Sequence, residues 1–262
     1  MKKEKRYLED VGMKNLPFPM NVVSKVSKDG QFTIADISIS ARIMQEFEAD
    51  WIDKFIQIVH NHRDRIGTKT LKVNIKDYVK QLNASTVKID FKYPFFIEKR
   101  TPVSKEKCLV RYLCTYSVKS NGEAKPTVIF KIKIPCITTY PVSFEKSGGL
   151  FGQLSTMVIE TESKKDIYPE DLVALVDKHA LVPIYSFLTR EDQEFVIQKI
   201  HSEKKTSVVL VDEVKDELAR MQNIESYKVD CFNFGMLHSY GTSIGTAKSM
   251  WIPGSSFEEN EI

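Results

Sequence analysis

Five histidines and four cysteines are the side chains best suited to metal or nucleophilic chemistry in this chain, so their spacing is the first test of what it can do. His60 and His62 stand two residues apart in a helical pattern, so their rings point to different sides and read as surface residues. His179 and His201 fall near predicted helix C-termini, where positive charge is favourable without any catalytic role. His238 is the candidate for proton transfer, with Tyr140 or Tyr240 as its partner. The same histidine also reads as a hydrogen-bonded residue with no such role. Cys108, Cys114, Cys136 and Cys231 lie in apolar or strand-like runs and lack the paired C-x-x-C spacing of a zinc site, which implies reduced thiols in a cytoplasm. Gly148-Gly149 is followed by no G-K-[ST], so it reads as a flexible turn and not a phosphate loop. Neither a Gly-x-Ser-x-Gly elbow nor a dinucleotide-binding fingerprint occurs.

The bulk composition narrows the classes further. With 42% hydrophobic and 28% charged residues over 262 positions, the chain is long enough for one large core or two smaller ones. Its 38 basic residues nearly balance 35 acidic ones, so a nucleic-acid partner is not expected. Met1-Lys-Lys-Glu-Lys-Arg is too polar to open a signal peptide, and no apolar run approaches membrane-spanning length.

The elements that must position these residues repeat in order. Pro19 to Lys25 opens the pattern, and Ala35, Ile37, Ile39 and Ala41 then alternate with polar residues as a strand with one buried face. Trp51, Phe55, Ile58 and Val59 recur at helical spacing, and a second helix is expected over Leu71 to Leu82. Strands follow at 87–97 and 108–118, and Ser120-Asn121-Gly122 signals a hairpin into 127–134. The second half predicts a strand over 154–160, helices from Pro169, over 191–201 and over 207–221, and a last strand over 226–236, before a polar tail read as mobile. An internal echo sets Val87-Lys-Ile-Asp-Phe-Lys-Tyr beside Tyr227-Lys-Val-Asp-Cys-Phe-Asn. The expectation is an α+β fold of two modules, 1–122 and 123–262, with antiparallel sheet on one side and helices on the other. Open sheet edges would be covered by joining copies into a closed barrel.

The segment Phe96-Ile-Glu-Lys-Arg-Thr-Pro-Val-Ser104 resembles the GTP cyclohydrolases of type IB. Asp10-Val-Gly-Met, Trp51-Ile-Asp-Lys-Phe55, Leu172-Val-Ala-Leu-Val176, Ile184-Tyr-Ser-Phe-Leu188 and Asn233-Phe234 carry the resemblance across the chain in order. It implies tandem tunnelling-fold (T-fold) modules, a homotetramer with clefts between subunits, and the family's zinc-dependent opening of the guanine ring of GTP towards dihydroneopterin triphosphate and folate. It also implies that ligand positions have changed. The family's Cys-Pro-Cys meets Tyr140-Pro141-Val142, its loop histidine meets Phe151 or Gly152, its ligand glutamate meets Pro183, and its His-x-His meets His238-Ser239-Tyr240. By the same resemblance, the purine-anchoring glutamate falls on Gln198 and an arginine near the triphosphate falls on Lys54.

A glutamine amide offers one acceptor and one donor, which suits an N–H beside a C=O better than the paired donors of guanine. Gln198 otherwise reads as a solvated helix residue. Lys54 otherwise reads as a surface charge, and the Glu98–Arg100 group as structural. The expected site is therefore His238 and Tyr140 for proton transfer, Gln198, Lys54, Phe151 and Tyr240 for a heterocycle or nucleotide, and no metal or other cofactor. Urate oxidation in this fold class sets a precedent for metal-free chemistry on a heterocycle. One alternative is a working GTP cyclohydrolase whose zinc, or another divalent metal, has moved to Cys136, His238 and a nearby carboxylate. Another is a non-catalytic subunit that assembles with an active homologue.

Overall fold

The structure, a computed structural model, describes residues 8–43, 47–121, 125–142, 149–235 and 239–248. Two long strands, β1 (Leu8–Val22) and β2 (Gln31–Ile43), precede the helices α1 (Asp50–His62) and α2 (Thr68–Gln81). Strands β3 (Ala84–Arg100) and β4 (Lys107–Ser120) complete the first round. The second round runs β5 (Thr127–Thr139), β6 (Gly152–Ser163), α3 (Pro169–His179), the two-residue β7 (Val182–Pro183), α4 (Arg190–Ser202), α5 (Ser207–Arg220), β8 (Ile224–Asn233) and β9 (Thr242–Ala247).

All strand pairs are antiparallel, and the path β1-β2-β3-β4-β5-β6-β8-β9 is continuous, with β7 added beside β5. Alternation explains why the sheet has two unlike faces. In β5, Val128, Phe130, Ile132, Ile134 and Cys136 are buried against the helices, while Lys131 and Lys133 face the other way. On the helix-free face, Asp36, Ser38, Lys88, Lys92 and Lys131 help to line a hollow of about 760 Å³. None of the described candidate site residues lines it.

The core under the helices is aromatic. Across β3, β4 and β5, Tyr93 stacks on Tyr116 with centroids 6.2 Å apart, and Phe130 meets Tyr116 at a tilt with centroids 4.8 Å apart. Trp51, Phe55 and Tyr78 continue the packing along α1 and α2. Buried Leu172, Val176, Leu210 and Val214 dock α3 and α5 on the second half at helical spacing. The internal echo has a physical counterpart: Lys88 pairs with Asp90 at 3.1 Å and Lys228 with Asp230 at 2.8 Å, on the strands that leave the two helical layers.

The halves are stitched together. Glu170 accepts from the Ser24 hydroxyl at 2.5 Å, Lys25 binds Asp171, and Asp166 accepts from the Lys69 amide at the start of α2 at 2.9 Å. Lys72 donates to the Ser163 carbonyl at 2.6 Å.

Two expectations on the elements need correction. Among the described residues the opening strand already runs from Leu8, not from near Pro19, because β1 there has a strand partner on one side only and so tolerates Pro17 and Pro19. The last strand ends at Asn233, and Thr242–Ala247 forms a further edge strand that the sequence reading missed. The polar tail lies outside the described residues.

Candidate functional site

The ends of four strands meet at one edge of the second half. Thr139 on β5 pairs with Gly152 on β6, and the Tyr140 amide donates to the Phe151 carbonyl at 2.8 Å. The Phe234 amide donates to the Leu154 carbonyl at 3.0 Å, and Asn233 pairs with Thr242. Tyr140, Phe151 and Tyr240 are thus brought to the same end of the sheet. Tyr240 is 61% exposed, whereas Tyr140 and Phe151 are half-buried. His238 lies in the β8–β9 connection, outside the described residues.

Helix α4 closes this end. A side chain at Gly152 would press on Ile137 Cγ2 at 2.9 Å and Ile200 Cγ2 at 3.1 Å, so the absence of a Cβ lets α4 approach β5 and β6. His201 binds the Leu150 carbonyl at 2.7 Å and meets the Phe151 ring edge-on at 6.2 Å. Gln198 is exposed one turn earlier on the same helix. Lys54 is not brought into this group: it lies on α1, beside α2, and pairs with Asp50 at 2.5 Å.

Beneath the strand ends runs a buried polar network that sequence reasoning missed. The Thr138 and Ser155 hydroxyls are 2.8 Å apart, and Ser155 donates to Asn233 Oδ1 at 2.8 Å. Asn233 Nδ2 donates to Ser207 at 3.1 Å and to Thr242 at 3.3 Å, and Gln153 donates to Thr138 at 3.2 Å. Five elements are tied by these bonds, which fix the floor below Tyr140 and Phe151. A fully partnered buried network of this kind favours a single arrangement.

The start of α4 is anchored separately. Asp192 accepts from the Val103 and Ser104 amides at 2.8 and 3.0 Å, from the Ser104 hydroxyl at 2.7 Å, and from the Thr189 amide and hydroxyl at 3.1 and 2.8 Å. Burial pushes its carboxyl up, but these donors outweigh burial and hold it well below the usual range. The Pro-Val-Ser part of segment 96–104 therefore has a structural use, as does Glu98, which pairs with Lys107 at 3.0 Å.

At the positions that the resemblance assigns to zinc ligands, the described side chains offer no metal-binding group. Tyr140, Val142, Phe151, Gly152, Pro183 and Tyr240 contribute no thiolate, imidazole or carboxylate. Among the described residues no group of three or more His, Cys, Asp or Glu is placed to share a metal. Cys136, the thiol nearest in sequence to Tyr140, is fully buried opposite Pro183, and burial pushes its thiol far up, which disfavours the thiolate that a metal needs. His62 pairs with Asp77 at 3.0 Å on the flank of α1 and α2, in keeping with a surface role.

Antiparallel sheet with a helical layer on one face, traversed in two rounds, defines a tunnelling-fold-like α+β protein. The uricase of Arthrobacter globiformis shares this fold with a TM-score of 0.52, at 8% identity over 96% of this chain and 99% of that one. A urate oxidase mutant from Bacillus sp. TB-90 does so with a TM-score of 0.50, at 10% identity over 92% and 99%. The family itself is set by sequence: the model for type I GTP cyclohydrolase FolE2 matches residues 1–242, and the chain belongs to that family. It is similar to GTP cyclohydrolase FolE2 of a Geobacter species, 29% identical over 240 residues that cover 91% of this chain and 89% of that protein. FolE2 of Thermosipho africanus is 28% identical over 234 residues, covering 89% and 90%.

Proposed function

We propose that this chain is a divergent type IB GTP cyclohydrolase that binds or transforms a planar purine-, pterin- or pyrimidine-like heterocycle without tightly held zinc. One observation carries the reading: the family model matches residues 1–242, while of the positions that the resemblance assigns to metal ligands only His238 keeps a ligating side chain. Phe151 and Tyr240 offer ring faces, Gln198 reads an edge with N–H beside C=O, and Tyr140 with His238 exchanges protons with the ligand. Lys54 takes phosphate from a neighbouring subunit, which makes the cleft intersubunit and the protein an oligomer, as a tetramer. The two modules divide near residue 122, and free buried thiols suit a cytoplasmic setting.

Near-complete coverage by relatives named GTP cyclohydrolase FolE2 favours a second reading, a working GTP cyclohydrolase. One experiment separates them. Purified protein is incubated with GTP, with and without chelator and added Zn²⁺ or Mn²⁺, while pterin fluorescence, metal content and co-purified small molecules are measured. Heterocycle binding with no chelator-sensitive turnover supports the first reading. One metal per chain with chelator-sensitive pterin formation overturns it, and absence of any heterocycle binding counts against both.

A further inference from the structure

Near the end of β3 the Lys99 side chain is only 9% exposed, and its ammonium lies 2.5 Å from Asp177 Oδ2 in the last turn of α3. The same ammonium is 3.4 Å from the Ile184 carbonyl and sits over the Tyr112 and Tyr185 rings, 5.4 and 5.8 Å from their centroids. Two polar atoms here have no partner among the described residues: the Tyr112 hydroxyl and Asp177 Oδ1. Burial raises the Asp177 carboxyl and Lys99 opposes that rise. Replacing a buried pair by apolar side chains of similar volume is often neutral or stabilising, so the pair's presence points to a role besides stability.

Its location gives the account. Residues 182–189 form a strap from α3 to α4, and its Pro183 pairs with Cys136 on β5. The strap leads into the helix that carries Gln198 and packs Ile200 beside Gly152. Just beyond Lys99, Val103 and Ser104 hold Asp192 in the first turn of α4. The end of β3 and its hairpin therefore grip both ends of the strap.

We propose that Lys99 is a positioning residue for the cleft, with Asp177 as its fixed counter-charge. The ammonium sets the path of residues 182–189 and so the seat of α4 over Phe151 and Gly152, without touching ligand. The proposal rests on the reading of that cleft as the heterocycle site. The test compares full-length wild type with Lys99→Met, Lys99→Arg and Asp177→Asn. Amide exchange needs no ligand: Lys99→Met and Asp177→Asn are each expected to speed exchange over residues 182–202 by about tenfold, with β3 to β6 unchanged, and Lys99→Arg to restore most of the protection. In binding, Lys99→Met is expected to weaken whichever of GTP, xanthine or urate the wild type takes by about tenfold, and for a turned-over ligand to raise KM more than it lowers kcat. Unchanged exchange in 182–202, or a rise spread evenly over the core, overturns the proposal. So does faster exchange with unaltered binding. A wild type that binds none of the three ligands overturns the site reading instead, and exchange alone then decides whether Lys99 sets the strap. Should Lys99→Met fail to fold, Asp177→Asn and Lys99→Arg give the same contrast.

Discussion

At position 198 a glutamine presents a donor and an acceptor where a glutamate would accept twice. Gln198→Glu is expected to shift preference from xanthine towards guanine nucleotides by about tenfold, since one mismatched buried donor costs on the order of 1–3 kcal/mol. Competitive binding by isothermal calorimetry checks this, and an unaltered ratio would remove Gln198 from the site. Asp192 makes a separate prediction. Its carboxyl is held below its ordinary value of about 3.9, so its stabilisation is fully present above that pH and is lost as pH falls towards the lower folded value. Urea unfolding from neutral pH to about pH 2.5 should show an acid-dependent loss that shrinks in Asp192→Asn, which starts from a lower stability at pH 7. A variant with the wild-type acid slope would refute the assignment.

Among the elements, Gly152 marks where helix and sheet come closest. Gly152→Val is expected to push α4 outward and weaken any ligand held against Phe151, while leaving the Tyr93–Tyr116–Phe130 core in place. Near-ultraviolet dichroism alongside ligand titration distinguishes this from global damage. Phe130→Ala acts on the core instead and should cost about 3–5 kcal/mol in urea unfolding. Much of this layout was legible in the sequence. Alternating Ala35, Ile37, Ile39 and Ala41, helical Trp51, Phe55, Ile58 and Val59, and Pro169 at a helix start each express a local rule that the packing reinforces. Thr242–Ala247 was missed because an exposed run with a central glycine and one large apolar residue, Ile244, shows no apolar alternation, and pairing with β8 supplies what the side chains do not. The polar network was within reach: Thr138 follows Val128, Phe130, Ile132, Ile134 and Cys136 at the inward parity of β5, so a hydroxyl there must find a buried partner. Lys99–Asp177 was out of reach, because partners on β3 and α3 meet only through tertiary packing.

For the whole molecule, the terminal strands β1 and β9 each pair on one side only among the described residues. Apart from the C-terminal end of β1, where Asn21 and Val23 bond to Arg63 and Ile66, these edges invite pairing with further copies, and light scattering is expected to give the mass of a tetramer. A monomer at every concentration would refute the intersubunit cleft and the role given to Lys54.

The stitches between the halves carry a consequence for how the chain is made. Lys69 leaves the ribosome 97 residues before Asp166, and Lys25 precedes Asp171 by 146 residues. At about 5–20 residues per second, the nascent first half waits several seconds with its acceptors still unsynthesised. During that interval the first half lacks these contacts, and slowing translation beyond residue 122 is expected to lower the soluble yield.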